Sequence, residues 1–213
     1  MYEHRLFLAP GAPQHRFSTP QWRSRTLFTP AELLLEQAKG VDPNTCQRFV
    51  FTGNAVLLHP DFERIVQGCA ALGLKHFVLE TDAAPLAQPG MVERLGKLGF
   101  EQLSVVVGGV REKVHDAVMQ DPGAFKSAIE GLTAALRGTP KLYVEFPLLR
   151  ANAADAEPLL EALLQMGGKL HGFMFVLPDL DQVAPATRAK LLLRADEQAE
   201  VVSKVFRLAQ GNR

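Results

Sequence analysis

Short, mostly apolar runs alternate along the chain with longer stretches whose apolar residues recur every three to four positions. The runs fall at residues 5–8, 48–52, 75–80, 103–107, 141–146 and 171–176. Such runs, rich in β-branched and aromatic residues, predict strands covered on both faces. The amphipathic stretches at 30–39, 60–72, 89–98, 124–137, 153–166 and 195–210 predict helices. Gly40, Gly73, Gly99, Gly138, Gly167 and Gly211 stand directly after them. A glycine there tolerates the left-handed backbone that ends a helix. Thr29, Pro30 and Glu32 read as N-cap, first helical position and first-turn acid of the first helix.

Six strand–helix units in succession predict an α/β fold with a parallel sheet and outer helices. Periodicity alone fits an open doubly wound sheet and a full or partial barrel equally well. One segment breaks the pattern. Residues 10–30 carry Pro10, Pro13, Pro20 and Pro30, with Arg16, Arg23, Arg25 and the only tryptophan, Trp22. This stretch is expected to be a long Pro/Arg-rich loop or arm within a single domain over residues 1–213.

Composition narrows the partners. Lys+Arg and Asp+Glu are 23 each, so there is no global basic excess of the kind nucleic-acid binding favours. No apolar run approaches the ~20 residues of a membrane span. The start of the chain lacks the apolar core of a signal peptide. Two cysteines, Cys46 and Cys69, do not make a secreted disulfide framework. These features predict a cytoplasmic protein that engages neither membrane nor nucleic acid.

Several motifs occur in order. Residues 48–62 read RFVFTGNAVLLHPDF, residues 72–81 LGLKHFVLET, residues 103–116 LSVVVGGVREKVHD, and residues 122–125 PGAF. Together they resemble the second to fourth strands of radical S-adenosylmethionine (SAM) enzymes and the turns that follow. There a strand runs into Thr-Gly-Gly-Glu-Pro and then Leu-Leu-His-Pro-Asp-Phe. Arg150 and Asn152 fall where the family's fifth-strand loop often carries an Asn. The resemblance covers about residues 48–167 and implies a six-unit partial (βα) barrel with its site at the C-terminal ends of the strands.

The same resemblance marks what is missing. The family's chemistry needs three thiolates from one short loop, commonly Cys-x-x-x-Cys-x-x-Cys after the first strand, to hold a [4Fe–4S] cluster. No cysteine precedes Cys46 here, and Cys69 lies in a predicted helix. Gly53-Asn54-Ala55-Val56 replaces Gly-Gly-Glu-Pro, whose carboxylate engages the SAM ammonium. Val106-Val107-Gly108-Gly109 stands where the family's fourth strand often reads Ser-Leu-Asp-Gly, so Val106 offers no hydroxyl, and Asp82-Ala83 replaces Asn-Gly. The expectation is a degenerate member with no iron–sulfur or SAM site, no metal and no catalytic residue. The weight of this reading is against an enzyme.

The polar residues at strand ends remain as candidates for ligand binding: Asn54, Glu80, Asp82, Glu145, Arg150 and Asn152, with Asp179 and Asp181 nearby. On the fifth strand Leu142, Val144 and Phe146 share one face, so Tyr143 and Glu145 should point inward, and Arg150 is the expected counter-charge. The competing account makes this an internal ion-pair network that fills the lumen. His59 and His115 read as structural, and Gly108-Gly109 lacks both a third glycine and an evident helix start. Two functions lead, ahead of a third, a true radical SAM enzyme that borrows its cluster ligands from another chain. The first is a catalytically inactive binding, scaffolding or regulatory module, with a protein partner or a second copy. The alternative is a non-radical enzyme or small-ligand binder that reuses the cavity.

Overall fold

The computed structural model describes residues 2–8, 28–53, 55–177 and 185–212. Its six strands are β1 (Tyr2–Phe7), β2 (Cys46–Thr52), β3 (Phe77–Asp82), β4 (Phe100–Val106), β5 (Lys141–Pro147) and β6 (Leu170–Val176). They form one sheet in the order β1-β2-β3-β4-β5-β6, and every neighbouring pair is parallel. Sequential order with parallel pairing requires a crossover after each strand. The helices supply it: α1 (Ala31–Lys39), α2 (Phe62–Ala71), α3 (Met91–Lys97), α4 (Glu112–Met119), α5 (Ala124–Arg137), α6 (Ala156–Gln165), α7 (Pro185–Leu191) and α8 (Ala195–Gly211). This is the α/β partial (βα) barrel expected from the sequence. A doubly wound sheet would have reversed its strand order.

All six predicted strands form, with β1 and β4 starting three residues earlier than expected and the other ends within two. The helices differ in detail. Pro30 rather than Thr29 caps α1, and no side-chain cap bond is made. Thr29 is instead drawn to β1, where its N–H donates to the Leu8 carbonyl at 2.9 Å. The stretch 153–166 divides into a short 3₁₀ turn, Ala153–Asp155, and α6. Helix α4 was not expected from the sequence. It starts three residues after Gly109 with no side-chain cap bond, which leaves little signal to read. Gly73, Gly99 and Gly167 take the left-handed backbone that stops a helix, whereas Gly40 and Gly138 do not. Of the Pro/Arg-rich stretch 10–30, all but 28–30 lies outside the described residues.

Side-chain parity separates the sheet into two environments. Leu6, Phe49, Phe51, Leu79, Leu103, Val105, Val144 and Phe146 are fully buried and belong to the main core with the helices. Phe51 sits at its centre, with ring centroids 5.2 Å from Phe49 and Phe77 and 5.3 Å from Phe100. Each such side chain stabilises the fold by roughly 1.5–3 kcal/mol. Val50, Val78 and Val106 are equally buried yet lie outside that cluster, on the opposite, inner face. That inner face also carries Arg5, Thr52, Glu80, Ser104, Tyr143 and Glu145, which alternate along their strands with the core residues.

Candidate functional site

The inner face is built around Glu80. Its carboxylate is 4 % exposed. Arg5 grips it with both terminal nitrogens, Nη1 to Oε2 at 2.9 Å and Nη2 to Oε1 at 2.8 Å. The Thr52 hydroxyl donates to Oε2 at 2.8 Å. A bidentate guanidinium–carboxylate pair with a third donor is the arrangement that lets a carboxylate remain charged inside a protein. The pair joins β1 to β3 across β2, and Thr52 of β2 closes the gap. Lower on the same face, Glu3 accepts from Arg5 at 3.0 Å and pairs with Arg48 at 3.2 Å.

Glu145 is the second inner carboxyl, 6 % exposed. Burial first, and the neighbouring Glu80 charge second, push it up to about 7; Arg5, a Ser104 hydrogen bond and Arg48 pull the other way. Ser104 in turn accepts from Gln102 at 3.1 Å. The inward orientation of Tyr143 and Glu145 read from the sequence is therefore the observed one.

The expected counter-charge is a correction. Arg150 does not reach Glu80, Asp82 or Glu145. Its guanidinium is 43 % exposed and forms a two-pronged pair with Glu197 of α8, both contacts at 3.0 Å, with a further bond to the Leu192 carbonyl. The chain turns away after β5, and the Arg150 N–H donates to the Leu191 carbonyl, which fixes the side chain on the outer, α8 side. The cation that Glu80 needs comes instead from Arg5, at a sequence separation of 75.

Asn152, a ligand-binding candidate from the sequence, is engaged within the chain. It is fully buried, and its amide is committed to backbone: Nδ2 donates to the carbonyls of Gly108 at 2.9 Å and Pro147 at 2.7 Å, and Oδ1 accepts from the Leu149 N–H at 2.9 Å. With both donors engaged, no amide N–H is left to offer a ligand. Asp155 performs the matching task. Its Oδ2 accepts from the N–H groups of Val110 and Arg111, and its Oδ1 pairs with the Arg111 guanidinium. A β-carbon on Gly109 would lie 2.8 Å from that carboxylate, so glycine is needed for the approach. Asp82 ends β3 half-buried, and its charge is felt at His115. Asn54, Asp179 and Asp181 lie outside the described residues.

The histidines are structural, as expected. His59 Nδ1 accepts from the Asp61 N–H at 3.0 Å, and Nε2 faces the Thr29 carbonyl at 2.9 Å. His115 is buried, accepts from the Gly108 N–H, and is held below its ordinary range by burial. Sequence reasoning missed Arg5, Thr52, Arg111 and Asp155. The parity of β1, with buried Leu6 and Leu8 on one face and Glu3 and Arg5 on the other, was the available signal for Arg5.

Residues 12–163 match the model of the radical SAM superfamily. This chain belongs to that superfamily. Among curated proteins it is similar to a Methanosarcina barkeri protein described as AdoMet-dependent heme synthase, 25% identical over 148 residues, which is 67% of this chain and 42% of that protein. Among solved structures it resembles Streptococcus suis SuiB bound to the precursor peptide SuiA, with a TM-score of 0.63 and 13% identity over 97% of this chain and 46% of SuiB. It also resembles HemN, the coproporphyrinogen III oxidase of Escherichia coli, with a TM-score of 0.58 and 14% identity over 95% of this chain and 49% of HemN. The chain thus spans less than half the length of each. At these identities the two structures speak for the fold alone.

The cysteines do not fit the cluster of that superfamily. Cys46 opens β2, at the N-terminal end of the sheet, with Sγ 3.4 Å from the Arg48 carbonyl. Cys69 lies in α2, fully buried, and burial pushes its thiol up to about 12. A thiol there stays protonated and makes a poor metal ligand. The C-terminal ends of the strands carry no thiol at all. Ala55, in left-handed backbone ahead of the 3₁₀ turn Val56–Leu58, brings no carboxylate to the second-strand loop, and Val106 brings no hydroxyl to the fourth.

Proposed function

We propose that the chain is a cluster-free member of the radical SAM superfamily, acting as a binding, scaffolding or regulatory module and running no radical reaction. The observation that carries this reading is the placement of its two thiols, one at the N-terminal end of β2 and one inside a helix, neither at the C-terminal ends of the strands. Loops at those ends are also tied to one another, Asn152 to the Gly108 carbonyl and Asp155 to the Val110 N–H, which supports a scaffold held by its own side chains. The occupant we favour is a protein or peptide partner, or a second copy; SuiB on this fold is bound to a precursor peptide. Balanced charge argues against nucleic acid. No helix among the described residues is long and apolar enough to cross a membrane, and the free thiols suit a reducing compartment such as the cytoplasm. We take residues 1–213 as one folding unit.

The test is anaerobic reconstitution with iron and sulfide, followed by iron counting and calorimetry with SAM. The expected result is no stoichiometric cluster and SAM binding no tighter than ~1 mM, about −4 kcal/mol. About four irons per chain, the content of one [4Fe–4S] cluster, or micromolar SAM binding, would reject the proposal.

A second reading has its own observation. A buried carboxyl pushed up to about 7 beside an ionised partner is a pattern of acid–base sites. A non-radical enzyme or small-ligand binder would use Glu145, with Glu80 and Asp82 beside it. Calorimetric binding of a small ligand that Glu145→Gln abolishes would favour this reading over the first.

A further inference from the structure

We infer that Glu145 is a proton-operated switch built into the inner face of the sheet: protonated, it completes the packing of that face, and ionised, it loosens it. The inference holds under either functional reading above, because it concerns how the face is held together and not what the face binds.

The geometry begins with the charges on this face. Among the described residues, Glu3, Glu80, Glu145 and the strand-end Asp82 share it with the guanidiniums of Arg5 and Arg48. Each guanidinium is already engaged. Arg48 pairs with Glu3, and Arg5 divides its nitrogens between Glu3 and both oxygens of Glu80. Of Glu3, Glu80 and Glu145, only the last has no guanidinium at ion-pair distance among the described residues; its hydrogen bond is with the neutral Ser104 hydroxyl. A carboxyl buried among Val106, its β4 register partner, and Met174, its β6 register partner, is more stable protonated than charged.

The groups that face it come from every neighbouring strand. Arg5 approaches from β1, Arg48 from β2, Glu80 from β3, Ser104 from β4, and Tyr143 shares its face on β5. Met174 of β6 is apolar. Asp82, further along β3, stands at the same end of the face, register partner of Val106. Ionising Glu145 therefore places a second negative charge beside Glu80 and in competition for Arg5. That competition acts on β1, an edge strand that Arg5 ties to β3 across β2. The neighbours support the switch from both sides, since burial and Glu80 disfavour the charged form and Arg5 keeps it accessible near neutrality.

The sign follows from linkage. The folded chain holds this proton more tightly than the unfolded chain, with the group moved from 4.5 to about 7. Protonation stabilises fully below about pH 4.5, and that stabilisation is lost as pH rises towards 7 and then levels. The difference in proton affinity is about 300-fold.

The test follows the melting temperature and the carboxyl ¹³C shift of Glu145 from pH 5 to 8.5, in the full chain and in Glu145→Gln. The amide variant mimics the protonated form. It should match the parent near pH 5 and become progressively more stable than the parent as pH rises. Glu80→Gln, which removes the repelling charge and frees Arg5, should move the Glu145 midpoint downward. A Glu145 midpoint below pH 5.5, or parent and Glu145→Gln curves that stay parallel across the range, would overturn the inference. Should Glu145→Gln fail to fold, the ¹³C titration of the parent alone decides the matter.

Discussion

Arg5 is the side chain on which the inner face depends most, and Arg5→Ala measures it. The substitution leaves Glu80, 4 % exposed, with the Thr52 hydroxyl as the one remaining bond of those described above. Stranding a buried partner costs about 3–5 kcal/mol. Arg5 itself is 37 % exposed, so water reaches part of the vacancy and the lower figure of about 3 kcal/mol applies. For a chain of this length each kcal/mol moves the melting temperature by about 2–4 °C, which gives a fall of about 6–12 °C. The assay is a double-mutant cycle in thermal or urea unfolding. Glu80→Gln in the Arg5→Ala background removes the stranded charge and should recover more than 1 kcal/mol of coupling. A melting temperature within 2 °C of the parent for Arg5→Ala, or strictly additive effects in the cycle, would refute the idea that this pair organises the face.

Arg150→Ala should do much less, because its partner Glu197 is reached through water-exposed side chains; a urea-unfolding midpoint close to the parent's is expected. A loss near that of Arg5→Ala would mean that the α8 contact is a main anchor of the fold. Gly131→Ala should be strongly destabilising, since its β-carbon would lie 1.8 Å from the Ala83 carbonyl oxygen and the backbone must move apart. A cost of about 1–3 kcal/mol, read from the unfolding midpoint, is expected for such overpacking. In the parent chain, stability should fall between about pH 4.5 and 7 as Glu145 loses its advantage, a slope that Glu145→Gln removes.

The sheet was legible because each strand is short, apolar and closed off from the next by a helix that ends near a glycine. Parity on β5 was legible for the same reason: Leu142, Val144 and Phe146 had to face the helices, which turned Glu145 inward. The partner of the inner carboxylates was not legible, because proximity along the chain is a poor guide to proximity across a curved sheet. Arg150 is five residues from Glu145 and turns outward, whereas Arg5 comes from the far edge of the sheet and reaches Glu80. Helix α4 was hidden by a start that has no side-chain cap and follows two glycines. Asn152 looked like a ligand residue because its position matched the family's loop; only the hydrogen bonds reveal that its amide is committed to Gly108, Pro147 and Leu149.

That commitment bears on the proposal that this chain does without a cluster. Loops at the C-terminal ends of a (βα) sheet carry backbone groups that must be satisfied by a ligand, by water or by the chain itself. Here the chain does it. Asn152 binds carbonyls on either side of the β4 and β5 ends, and Asp155 takes the Val110 and Arg111 N–H groups that open α4 while Arg111 balances its charge. The negative end of Asp155 lies where a helix start favours an anion, so an internal carboxylate takes that place. On the inner face Arg5, Thr52 and Glu80 do the same for the middle of the sheet. Both networks are held by side chains from non-adjacent strands and their loops, which makes them fasteners of the sheet's curvature as well as neutralisers of buried charge. Fastening of this kind lets side chains rather than a bound group hold the sheet, which is the physical condition the proposed binding module has to meet.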